Sequence, residues 1–186
     1  MLRGRPSGSG DCVKPAAGGY RPFAPARWIG RILGGGCLWA AAASAALGAS
    51  NNVRITSLSD IGFGTVSNLS ADAIQSESLC VYANTATNGY NVRAFGSGGA
   101  GAFTLASGAD TLPFEVQWSP SAGQSSGVQL SPNVALSGQV SAATQQTCNS
   151  GPATSASLVV ILRTAALSSA AAGSYSGSLT LVIGPE

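Results

Sequence analysis

Histidine is missing from all 186 residues, methionine occurs once, and charged residues make up only 9%. Without histidine there is no Ser-His-Asp triad, no Cys-His pair and no imidazole ligand for a metal. No group of cysteines and carboxylates has zinc spacing, and the acidic residues are too scattered for a calcium loop. Asp110 and Glu115 are the one carboxylate pair to weigh for glycoside chemistry. A turn residue and an outward strand residue account for them better. Gly96–Gly101 is rich in glycine, yet no lysine follows and no helix opens after it, so it does not cradle phosphate. These absences exclude a recognisable catalytic site, a metal site and a cofactor site.

Positive charge is also scarce where a folded domain would need it. Arg3, Arg5, Lys14, Arg21, Arg27 and Arg31 all precede the first hydrophobic run. Beyond Asn51 only Arg54, Arg93 and Arg163 face Asp60, Asp72, Glu77, Asp110, Glu115 and Glu186. A phosphate backbone finds no attraction there, so nucleic acid is excluded as a partner. Low charge combined with 45% hydrophobic residues also argues against disorder.

The basic stretch ends at Arg31 and leads into the weakly apolar run Ile32–Leu47, with small residues at Ala43-Ser44-Ala45. That order is the pattern of a secretory signal peptide, with cleavage expected after Ala45 or Gly48. The run is short of the roughly 20 apolar residues of a membrane span. Residues 1–50 are therefore expected to be a leader. The chain from 51 to 186 is expected to be an exported domain, periplasmic first and then at the cell surface, with no membrane insertion after cleavage. A lipoprotein reading of Cys37 is disfavoured by the three glycines before it. Cys12 and Cys37 go with the leader, which leaves Cys80 and Cys148 to form one disulfide in an oxidising compartment.

What is present suits strands. From Asn51 onward short apolar runs alternate with Gly, Ser, Asn and Asp. Val53–Val66 reads as two short strands with a kink. Tyr90, Val92 and Ala94 alternate with polar residues, and so do Leu112, Phe114, Val116 and Trp118. Pro113 removes a backbone donor, so that strand starts there or lies on an edge. Leu158–Leu162 is a buried run, and Ala165–Gly173 is predicted to hold a helical turn too short to stand alone. Tyr82, Tyr90, Phe95, Phe103, Phe114, Trp118 and Tyr175 are expected mostly inside. Turns every eight to twelve residues predict an all-β, Ig-like antiparallel sandwich.

The last stretch, Gly173-Ser-Tyr175-Ser-Gly177-Ser-Leu179-Thr-Leu181-Val-Ile183, resembles the final strand of the spore coat protein U family, subunits of archaic chaperone–usher pili. Ile61-Gly-Phe63-Gly64 resembles that family's early strand, and Cys80 with Tyr90–Ala94 its second strand region. The resemblance implies a sandwich missing its last strand, with an exposed groove beside the strand that is left. Gly173 and Tyr175 would stand at the groove's entrance, with Leu179, Leu181 and Ile183 along it. The implied partners are a periplasmic pilus chaperone and neighbouring pilus subunits, joined by β-strand addition. The family commonly bridges its first strand to its second, whereas Cys80 here has only Cys148. Few residues precede Val53 after cleavage, and three follow Ile183, so the chain is expected to accept a strand without donating one. The expectation is thus a non-enzymatic structural or adhesive pilus subunit. The alternatives are a self-contained secreted Ig-like binding module and, third, a secreted hydrolase.

Overall fold

The computed structural model describes residues 51–186. Ten strands, one short α-helix and a single 3-10 turn at Gly99–Gly101 lie in this stretch, and every strand pairing is antiparallel. The strands are β1 (Asn52–Thr56), β2 (Ala73–Asn84), β3 (Gly89–Gly96), β4 (Thr104–Ser107) and β5 (Asp110–Pro113). After them come β6 (Glu115–Ser119), β7 (Val128–Gln129), β8 (Leu136–Val140), β9 (Ala156–Leu162) and β10 (Leu179–Pro185), with helix α1 (Thr164–Ser169) before the last.

A five-stranded sheet runs in the order β1-β2-β9-β6-β7 and a three-stranded sheet in the order β10-β3-β8. Period-two side chains decide which faces meet. Leu79, Val81 and Ala83 on β2, Val116 and Trp118 on β6, and Leu158 and Val160 on β9 form one wall of the core. Tyr90, Val92 and Ala94 on β3 form the other, joined by Leu181 and Ile183 of β10. Trp118 and Tyr90 meet edge-on across the core with ring centroids 6.3 Å apart, and the Trp118 indole donates to the Tyr90 hydroxyl at 3.2 Å.

β4 and β5 form a separate hairpin turning at Gly108 and Ala109. Leu112, Phe114, Val116 and Trp118 are all buried, as their alternation predicts. Pro113 ends β5, and the Phe114 amide leaves the hairpin register to donate to Phe103. Of the expected inward aromatics, Tyr90, Phe103, Phe114 and Trp118 are buried, while Tyr82, Phe95 and Tyr175 remain part-exposed. Tyr82 lies on the opposite face of β2 from Leu79 and Val81, so its period placed it outside the main core.

The order β1-β2-β9-β6 is the A-B-E-D sheet of an immunoglobulin domain, and β3 and β10 take the places of C and F. The fold is an Ig-like antiparallel sandwich. No strand among the described residues lies on the outer edge of β10, the position of strand G. The second short strand expected before Val66 is not formed. Ser57 turns the chain with φ of 63°, and residues 57–68 run on without a ladder. An extended segment becomes a strand only where a partner supplies its hydrogen bonds, and beside this one there is open space.

Cys80 and Cys148 are bonded, with Cα atoms 6.0 Å apart. Cys80 sits on the outer face of β2, where it packs with Ala143 and Cys148 in a small second cluster. The bond fastens the long loop between β8 and β9 over that face. Ser155 and Ser141 complete the attachment by hydrogen-bonding the backbone of Val81, replacing ladder bonds where β9 has left β2.

Candidate functional site

β10 pairs with β3 from Leu179↔Gly96 to Pro185↔Tyr90. In an antiparallel ladder alternate residues turn their N–H and C=O groups to opposite sides, so half of the β10 backbone faces away from β3. The free edge looks across a groove of about 1320 Å³ toward Leu58–Val66, the unpaired stretch that follows β1. At about 3.3 Å per residue, seven-residue β10 gives this edge a length of roughly 20 Å.

The floor comes from elements of both the main sheet and its surroundings. Leu158, Val160 and Leu162 project from β9, Leu105 and Leu112 come from the hairpin, and Phe114 and Leu167 close the remaining gaps. α1 delivers Leu167, which is buried. A cross-sheet clasp fixes that helix. Asp72 accepts from the Thr164 amide and hydroxyl at 2.8 and 2.9 Å, and Arg163 bridges Asp72 and Glu115. These bonds, the Thr164 amide first and then Arg163, hold the Asp72 carboxyl below its ordinary range.

The residues singled out from the sequence fall as follows. Gly173, Tyr175, Leu179 and Leu181 line the groove. Ile183 lies beyond it, packed against the core opposite Val92. Ile183 shares the inward face of β10 with Leu179 and Leu181, and all three are partly buried against the core. Gly173 is tightly placed, because a Cβ there would lie 2.7 Å from the Ser107 hydroxyl. The Tyr175 hydroxyl donates to the Ala171 carbonyl at 2.9 Å, and Ser176 exchanges two backbone bonds with Ala106. The end of the groove is therefore tied to the hairpin.

Sequence reasoning missed the opposite wall and the floor. Ile61 and Phe63 were noted only as an early strand; both are half-buried groove residues. Glu77 was missed outright. It occupies an inward position of β2, in the series Ala73, Gln75, Glu77, Leu79, Val81, Ala83, and pairs across the ladder with Leu158. That period of two was present in the sequence and marks a carboxylate on an otherwise apolar face.

Other chemistry is sparse. Glu115 is engaged by Arg163, while Asp110 sits exposed at the hairpin turn. Among the described residues no three His, Cys, Asp or Glu side chains lie close enough to hold a metal ion, and no helix is long and apolar enough to cross a membrane.

No protein-family model and no curated protein matches this chain. A solved structure described as a chaperone–tip adhesin complex vital for synergistic activation of CFA/I fimbriae biogenesis is similar to it, with a TM-score of 0.47 and 17% identity. That likeness covers 73% of this chain and 43% of the other, so this chain matches less than half of the solved chain's length.

Proposed function

We propose that this protein is an exported, non-catalytic pilus or pilin-like subunit whose groove receives a strand from another polypeptide. The observation that carries the reading is the vacant strand position beside β10, with unpaired backbone on one side and the unpaired stretch Leu58–Val66 on the other. A sheet edge over an exposed apolar floor favours pairing with another chain. An incoming strand gains main-chain hydrogen bonds from β10 and buries alternate side chains against Leu158, Val160 and Phe114. A pilus chaperone is the first occupant in this reading and a neighbouring subunit the second, as in the spore coat protein U family that the C-terminal stretch resembles. The leader over residues 1–50 and the disulfide between Cys80 and Cys148 fit export to an oxidising compartment.

The test is to purify the full chain and add a peptide of alternating apolar residues long enough to span β10. The expected result is a self-associating protein that becomes monodisperse, with a raised melting temperature, when peptide is present. A stable monomer indifferent to peptide would instead identify a self-contained binding module.

A further inference from the structure

The groove wall opposite β10 is held by little. Among the described residues, the stretch Leu58–Val66 is tied to the rest of the fold by hydrogen bonds from Ser59 alone: its amide and, at 2.6 Å, its hydroxyl both donate to Glu77 Oε1. Ile61, Phe63 and Val66 pack part-buried against the core, while a Cβ at Gly62 or Gly64 would meet nothing within 4 Å. Glu77 stands on β2, in the sheet opposite β10, with Leu158 of the groove floor as its ladder partner. That position lowers stability. Glu77 Oε2 is closed off from solvent and has no hydrogen-bond partner among the described residues, and a carboxylate oxygen buried unpaired is unfavourable. An aliphatic side chain there would simply continue the inward series Leu79, Val81 and Ala83.

An apolar wall beside an empty apolar groove gains by folding inward onto β10, because that removes hydrocarbon from water. A groove closed in this way has to reopen before a strand can enter, and its affinity falls with the fraction of molecules left open. We infer that Ser59 and Glu77 form a latch that holds the groove open by fixing this wall to β2. Both are positioning residues. Oε1 is taken up by Ser59 and Oε2 is closed off, so the incoming strand has no need to touch the carboxylate. A carboxylate that lowers stability beside a binding groove is accounted for by such a role. The inference rests on the strand-accepting reading and adds to it the device that keeps the groove preformed, so that binding does not have to order the wall.

Ser59→Ala, Ser59→Thr and Glu77→Leu in the full chain provide the test, with a peptide that spans the seven residues of β10 and carries leucine or valine at alternate positions as the probe. Each protein is unfolded in urea without peptide, titrated with it by calorimetry, and mixed with a dye-labelled copy of it in a stopped-flow instrument. Glu77→Leu is expected to raise the urea midpoint, because an unpaired buried oxygen gives way to hydrocarbon. It should nevertheless bind the peptide about tenfold more weakly, as when the open state falls to a tenth of the population. That loss should lie in the association rate, with dissociation unchanged, since the latch acts on the empty groove. Ser59→Ala should move affinity the same way by a smaller factor, because its amide bond remains, and Ser59→Thr, which keeps the hydroxyl, should match the wild type. Glu77→Leu that binds as tightly as the wild type, that loses stability and affinity together, or that only dissociates faster overturns the latch while leaving strand acceptance standing. A wild type that binds no peptide overturns the strand-accepting reading and the latch with it.

Discussion

Tyr90 and Trp118 join the two sheets through one hydrogen bond inside the core, and neither ring is exposed. Tyr90→Phe keeps the packing and orphans the indole N–H, so unfolding in urea should show a loss of about 1–3 kcal/mol. Trp118→Ala should cost more, about 3–5 kcal/mol, because it leaves a cavity as well. Burial pushes the Tyr90 phenol up from 10.0 to about 12, opposed by the indole bond. A raised folded-state value means that this contribution is intact below pH 10.0 and fades as the pH climbs toward 12. Urea midpoints taken across that interval should fall more steeply for the wild type than for Tyr90→Phe; parallel slopes would contradict the assignment. Asp72 and Glu186 behave oppositely. Their folded values are lowered, chiefly by the Thr164 and Gly138 amides, so their contribution fades as pH drops through those values. The Cys80–Cys148 bond closes a separation of 68 residues, worth about 4 kcal/mol on the chain-entropy account. Unfolding with and without reductant should reveal a loss of that order.

At the scale of elements, the proposed reading makes β10 and the stretch Leu58–Val66 the two walls of a strand-accepting groove. Leu181 faces inward and Thr180 outward, which makes them a matched pair of probes. Leu181→Asp is expected to abolish binding of a strand peptide, since it places an unpaired carboxylate on the groove wall. Thr180→Asp should leave binding within a few-fold of wild type; equal losses in both would argue against an oriented groove. Amide exchange should be slowest in β9, every residue of which is buried, and slower in Leu58–Val66 once the groove is occupied. Tyr90–Ala94 was legible as a strand because alternation alone sets its faces, whereas Leu112–Trp118 keeps the expected alternation of buried residues but is two strands in two sheets, β5 ending at Pro113 and β6 beginning at Glu115. Residues Ile61–Val66 were not legible: the sequence carries a strand-like pattern, but no neighbouring strand among the described residues pairs with it. The two-residue spacing of Leu179, Leu181 and Ile183 fixes their common face. Glu77 follows from the β2 alternation once that strand is taken back to Ala73.

Residues 51–186 form a sandwich with Trp118 and Tyr90 fully buried in its core and an apolar groove beside β10. Its stability should therefore depend on its occupant to an unusual degree, with ligand binding and folding linked by mass action. Cross-strand contacts seen by isotope-edited NMR, between the full chain and an unlabelled apolar peptide, test that account most directly. The account predicts nuclear Overhauser effects from the peptide backbone to Leu179–Leu181 on one side and to Ile61–Val66 on the other, placing the peptide as the strand between them. Contacts confined to the edges at β7 or β8, or none along β10, would contradict it.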